Sequence, residues 1–144
     1  MTDAAALAAI HAASFDHPRP WSAAEIAALL ATAGSFALTE PGGFLIGRTI
    51  ADETELLTLA VEPGRRRQGI GGRLLAAFLA RAAQDGARRI FLEVAADNDA
   101  AIALYTRHGF RRAAIRKGYY RRPDGSRTDA LILSRPAGPA PENS

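Results

Sequence analysis

Cysteine is absent from the 144 residues, which rules out disulfides, a thiol nucleophile and any zinc site of the cysteine type. Lysine is nearly as scarce. Lys117 is the only one, so the formal net charge of +3 rests on arginine. These arginines are dispersed and form no aromatic-interleaved basic stripe, so the charge fits a solvated surface and a small anionic ligand rather than direct nucleic-acid contact. The histidines, His11, His17 and His108, lack ligand spacing, and no metal is expected. No apolar run reaches the length of a membrane span, and the alanine-rich start at Ala4 to Ala13 lacks a basic flank and a cleavage site. A cytoplasmic protein without membrane contact is the expectation.

What is present suits one compact domain. A hydrophobic content of 48% in this length can bury a substantial core. Residues 1–135 read as that domain, and residues 136–144, with Pro136, Pro139 and Pro141, as a disordered tail. Apolar residues at helical spacing predict a first helix over Ala4 to Phe15, stopped by Pro18 and Pro20. A second helix starts after Trp21, with Ser22 and Glu25 in the capping-box spacing and Ile26, Leu29 and Leu30 as its apolar stripe. Two short apolar runs between Ser35 and Ile50, broken at Glu40 to Gly43, predict an antiparallel hairpin. A third strand covers Leu56 to Val61. A long amphipathic helix then runs from the Gly69 region to near Gly86, followed by a strand over Arg89 to Val94. Asp97 or Asn98 can cap a helix over Ala100 to Arg107 that ends at Gly109. Phe110 to Arg116 and Ala130 to Leu133 are the last strands, with Tyr119, Tyr120 and Pro123 to Gly125 in the connection.

The stretch richest in chemistry joins the third strand to the long helix: Arg65-Arg66-Arg67-Gln68-Gly69-Ile70-Gly71-Gly72. Successive N–H groups at a helix N-terminus, with glycines that let the backbone close around an anion, make a seat for a pyrophosphate. Arg65, Arg66, Arg67 and Arg73 add positive charge to its rim. The plainer alternative is a tight strand-to-helix turn. A Walker A loop is excluded because no Gly-Lys-Ser/Thr follows, and the glycine spacing is wrong for the dinucleotide fingerprint.

The pattern Arg66-x-x-Gly69-x-Gly71 after a strand resembles the acetyl-CoA signature of the GNAT acetyltransferases. Asn98 followed by Ala101-Ile102-Ala103-Leu104-Tyr105 and Gly109-Phe110 resembles that superfamily's second signature. Further pieces extend the resemblance to its bacterial ribosomal-protein alanine N-acetyltransferases: Pro20-Trp21-Ser22, Leu59-Ala60-Val61-Glu62-Pro63, Leu92-Glu93-Val94, Arg116-x-x-Tyr119-Tyr120 and Asp129-Ala130. The resemblance is strong from Leu56 to Tyr120 and thin before that. It implies an α/β (α+β) fold with a twisted, mixed and mostly antiparallel sheet of about six or seven strands and about four helices, its central strands splayed at the acetyl-CoA site. It also implies an acetyl-CoA-dependent transferase acting on a protein N-terminus, with a small-subunit ribosomal protein as acceptor, as a monomer or weak dimer.

Site residues follow from the same resemblance. Glu93, a carboxylate inside an apolar strand, is either an exposed strand position or, as the resemblance implies, the general base. Tyr105 is either a core tyrosine or the general acid that protonates the CoA thiolate. Asn98 is an N-cap, a cofactor contact, or both. Leu59, Ala60 and Val61 are implied to offer main-chain groups to the thioester arm, and Arg66, Arg67, Gln68, Gly69, Ile70, Gly71 and Gly72 to hold the diphosphate. Trp21, Tyr119 and Tyr120 are candidates for the acceptor groove or ordinary aromatics. Asp52, Glu53 and Glu55 are a solvated edge or an attractant for a cationic acceptor. Two other functions fit the same motifs, acetylation of a lysine or small amine and a non-catalytic CoA-binding module.

Overall fold

The computed structural model describes residues 4–14, 22–65 and 68–137. Its elements run α1 (Ala4–Ser14), α2 (Ala23–Leu30), β1 (Ser35–Glu40), β2 (Gly43–Ile50), β3 (Glu53–Val61), a 3-10 turn (Pro63–Arg65), α3 (Ile70–Gln84), β4 (Arg89–Ala95), α4 (Asp99–Arg107), β5 (Arg111–Arg121) and β6 (Arg127–Pro136). The expected capping box is complete. The Glu25 N–H donates to Ser22 Oγ at 3.1 Å and the Ser22 N–H donates to Glu25 Oε1 at 2.9 Å, which starts α2 at the residue the sequence marks.

Six strands form one sheet in the order β1-β2-β3-β4-β6-β5. Every neighbouring pair is antiparallel except β3 and β4, which are joined through α3 and run parallel. Their ladder is short, from Glu53 opposite Arg89 to Leu56 opposite Leu92. Beyond that point β3 stays with β2 as far as Val61, while β4 stays with β6 as far as Ala95. The sheet is therefore split along its middle at one end.

A β-bulge sits at the point of splitting. Leu56 opposes Gly47 and Thr58 opposes Ile46, so Leu57 is an extra residue in β3. A bulge bends a strand and disturbs its pleat. The packing records this change: Leu56 belongs to the core under α3 and α4, Leu57 and Ala60 turn to the core under α1 and α2, and Leu59 and Val61 return to the first. That first core is built on Leu45, Leu74, Leu75, Phe78, Ile90, Leu92 and Phe110, and the second on Leu7, Ile26, Phe44 and Ile46.

The strand limits differ from expectation in two places that matter for function. β3 starts at Glu53 rather than Leu56, so Glu53 and Glu55 are strand residues. β5 runs to Arg121, so Tyr119 and Tyr120 lie in a strand rather than in the connection, and β6 extends beyond Leu133 to Pro136. Gly118 marks where β5 departs from regular pairing. It occupies a register shift inside β5, at φ +58°, and its N–H donates to Asp129 Oδ1 at 2.9 Å. Glycine supplies the left-handed backbone that such an irregularity requires. Among the described residues, no helix is long and apolar enough to cross a membrane.

Candidate active site

A cleft of about 400 Å³ opens where β3 and β4 part. β4 alternates strictly. Ile90, Leu92 and Val94 are buried under α3, which turns Glu93 to the opposite face and into the cleft. Glu93 is not a bare strand position: the Tyr120 hydroxyl donates to its Oε1 at 3.1 Å, and Arg116 Nε lies 3.6 Å from its Oε2. Burial, followed by the neighbouring Glu93 charge, pushes the Tyr120 phenol above its ordinary value, so this hydroxyl stays a donor.

Tyr105 enters from α4. Its ring packs edge-on against Phe110 with centroids 5.8 Å apart, and it is buried except where it lines the cleft. Desolvation raises its phenol well above the ordinary value. A phenol held protonated can donate a proton but is a poor base. Asn98 caps the same helix, its Oδ1 accepting the Ala101 N–H at 3.2 Å, and also lines the cleft. The two sequence alternatives for Asn98, cap and cleft residue, are therefore compatible. The cleft thus gathers Glu93, Tyr105, Asn98, Leu59, Tyr119 and Tyr120 from four different elements.

Leu59, Ala60 and Val61 follow the bulge. The Ala60 side chain is buried, so only main-chain groups of that residue can serve a ligand, and the ladder to β4 has already ended there. At the far end of β3, α3 begins at Gly69, a left-handed residue at φ +79° with no side-chain cap. The first N–H groups of a helix lack intrahelical acceptors. Gly69, Ile70, Gly71 and Gly72 thus present amides at the positive end of the helix dipole, which suits an anionic group. The glycines keep the space clear: a methyl on Gly72 would touch nothing, and one on Gly71 would lie 3.4 Å from Leu104 of α4. These residues fit a diphosphate, and their contact with α4 places them against the helix that carries Tyr105. Gln68 is exposed beside them, and the Ile70 side chain is buried in the core.

The rim charge is smaller than expected. Arg73 donates from Nε to both Glu40 oxygens, at 2.9 and 3.1 Å, and Arg65 lies 3.5 Å from Glu62. Both cations already have carboxylate partners. Arg66, Arg67 and Trp21 lie outside the described residues.

Two further residues line the cleft: Glu55, which the sequence left between a solvated edge and an attractant for a cationic acceptor, and His11, which sequence reasoning missed. Glu55 lines the cleft from β3 and forms a 3.7 Å ion pair with Arg48, its partner across the β2–β3 ladder. His11 reaches the cleft from α1, buried, with its ring 6.3 Å from that of Phe44. Its position one helical turn after Leu7 was the available signal, since residues i and i+4 share a helix face.

Residues 5–110 match the acetyltransferase (GNAT) family. The chain belongs to the GNAT acetyltransferase family. Among its relatives within GNAT, the chain is 39% identical over 133 residues to the ribosomal protein bS18 alanine N-acetyltransferase of Escherichia coli K12, covering 90% of this chain and 89% of that one. It is 43% identical over 95 residues to the N-alpha-acetyltransferase RimI of Mycobacterium tuberculosis, covering 65% and 55%. The crystal structure of the E. coli ribosomal-protein-S18-alanine N-acetyltransferase superposes with a TM-score of 0.85 at 37% identity, over 100% of this chain and 94% of that one. The GNAT architecture expected from the motifs, a mixed and mostly antiparallel sheet of about six or seven strands with about four helices, is the one observed, with six strands and four α-helices among the described residues.

Proposed function

We propose that this GNAT enzyme moves the acetyl group of acetyl-CoA to the α-amine of a protein that begins with alanine, a small-subunit ribosomal protein, in the cytoplasm. The observation that carries this reading is the meeting of Glu93 and Tyr105 in one cleft at the parting of β3 and β4, near an uncapped glycine-rich helix N-terminus. The acceptor is supported by the names of the relatives from E. coli and M. tuberculosis, which are N-terminal acetyltransferases at high coverage or identity.

Bound acetyl-CoA supplies an activated thioester. In this reading Gly69, Ile70, Gly71 and Gly72, with Gln68, Arg66 and Arg67, hold its diphosphate, while Asn98 and the main chain of Leu59, Ala60 and Val61 guide the arm toward the cleft. An N–H of β3 directed at the thioester oxygen would stabilise charge developing there. Glu93 accepts a proton from the acceptor ammonium, directly or through one water. A peptide α-ammonium titrates near about 7.7–8.0, so a carboxylate base has far less to do than for a lysine near about 10.4. The amine lone pair then forms the C–N bond, the C–S bond breaks as Tyr105 gives its proton to the leaving thiolate, and the second proton shed by the acylated nitrogen returns through solvent to the Tyr105 phenolate. Tyr119, exposed at the mouth, and Tyr120 border the acceptor's entry, with Trp21 a further candidate there.

The test is a panel of acceptors incubated with acetyl-CoA: peptides beginning with alanine, peptides with an internal lysine, and free polyamines. Turnover on the alanine peptides is expected. Turnover confined to the other two classes refutes the assignment.

A further inference from the structure

Glu93 is a crowded base. One oxygen receives the Tyr120 hydroxyl and the other faces Arg116. An incoming ammonium brings three N–H donors and a full charge, and a single carboxylate can reach only one side of it. A second carboxylate stands nearby. Glu55 opposes Phe91 in the parallel ladder, and Glu93 lies two residues further along β4 on the same face, which puts their Cα atoms roughly 8 Å apart from sheet spacing. Both side chains line the cleft, and Glu55 also borders a second hollow, along the sheet, lined by Ile50, Asp52 and Phe91.

We propose that Glu55 is the acceptor-positioning residue of this site: with Glu93 it brackets the ammonium of the incoming amine and holds it beside the base. The inference rests on the amine-acceptor reading above. Glu55 makes and breaks no bond. Arg48 pairs with one Glu55 oxygen at 3.7 Å, and a carboxylate with about four lone-pair sites keeps acceptor capacity for a ligand beside that pair. The two acids are electrostatically coupled: burial first, and then the Glu93 charge, make Glu55 harder to ionise, against the opposing pull of Arg48 and Arg116. A cation between them relieves that repulsion, so the ligand favoured at this spot is a primary ammonium rather than a neutral or anionic group.

Steady-state kinetics of the full chain with Glu55→Gln and Glu55→Asp test the proposal. A charge-assisted hydrogen bond implies that Glu55→Gln raises the acceptor KM about tenfold or more, with kcat within about threefold and the acetyl-CoA KM unchanged. Glu55→Asp keeps the charge but retracts it, and should raise the acceptor KM less than Gln does, though still by at least about threefold. That variant also carries the test if Glu55→Gln does not fold. An acceptor KM within about twofold of wild type overturns the proposal, as does a parallel rise in both KM values with a lowered melting temperature, the mark of a structural role. Should wild type use a lysine peptide or polyamine but not the alanine peptide, the acceptor assignment falls and Glu55→Gln is read on that amine. If the alanine peptide is used and Glu55→Gln leaves its KM alone, Glu55 alone falls.

Discussion

Replacing Glu93 by glutamine removes the proposed base while leaving its shape. The amide oxygen can still accept the Tyr120 hydroxyl, now 3.1 Å from Oε1, so the ring of Tyr120 keeps its anchor. The ion pair to Arg116 is lost, but it spans 3.6 Å with an arginine more than half exposed, and pairs of that kind contribute at most about 1 kcal/mol. The melting temperature should therefore move by no more than about 4 °C. Turnover should fall much further. General-base catalysis is worth about 10²- to 10⁴-fold, and the lower end applies here because the α-ammonium is a comparatively strong acid. A hundredfold loss of kcat corresponds to about 2.7 kcal/mol of barrier. The deficit should also shrink with rising pH. With an α-ammonium pKa near about 7.8, the free amine grows from about 5% at pH 6.5 to about 80% at pH 8.5, so solution does the work the variant cannot. The assay is thiol release from acetyl-CoA with a saturating alanine-leading peptide across that range, with acetyl-CoA affinity measured separately. Turnover within about threefold of wild type throughout, or a deficit independent of pH, would refute a base role for Glu93.

Three further perturbations probe other parts of the machinery. Tyr105→Phe keeps the edge-on contact with Phe110 at 5.8 Å and so should fold normally, yet kcat should drop by about tenfold or more with both KM values nearly unchanged; an unaltered rate of thiol release would remove Tyr105 from the acid role. Gly72→Glu should act in opposite directions on stability and binding. Its side chain meets open space, and a carboxylate in the first turn of α3 favours the helix by several tenths of a kcal/mol, while repelling a diphosphate by enough to weaken acetyl-CoA binding about tenfold. Thermal melts and calorimetric titration with CoA read the two effects. His11 gives a pH signature in stability. Burial holds its folded-state pKa below the ordinary 6.5, against the opposing charge of Glu25, so the unfolded chain takes up the proton first as pH falls. Stability attributable to neutral His11 is present above 6.5 and is lost as pH drops through that value to the folded-state one. The difference in melting temperature between wild type and His11→Asn should change across this window, and a difference that stays constant from pH 8 to 5 would contradict it.

Much of this molecule follows from short-range chemistry that the sequence carries on its own. Ser22 and Glu25 start α2 through contacts three residues apart, Asn98, one of the two caps that the sequence allows, starts α4 in the same way, and Gly109 takes the left-handed backbone expected after that helix. The strict alternation of β4 likewise turned Glu93 away from its apolar neighbours, which left two sides of a sheet as the only choice. Such features depend on a residue and its near neighbours, so they are legible without coordinates. Tertiary structure decided the rest. Where β3 leaves β4, whether Tyr120 reaches Glu93 across 27 positions, and which acids enter the cleft all depend on register between distant strands. One unmatched residue, Leu57, resets the pleat of β3, and Gly118 lets β5 run on past its own irregularity with Tyr119 and Tyr120 in the strand. Period-two alternation carries no record of a bulge until the partner strand is in place, and so Glu55 and His11 became part of the site only in the folded chain.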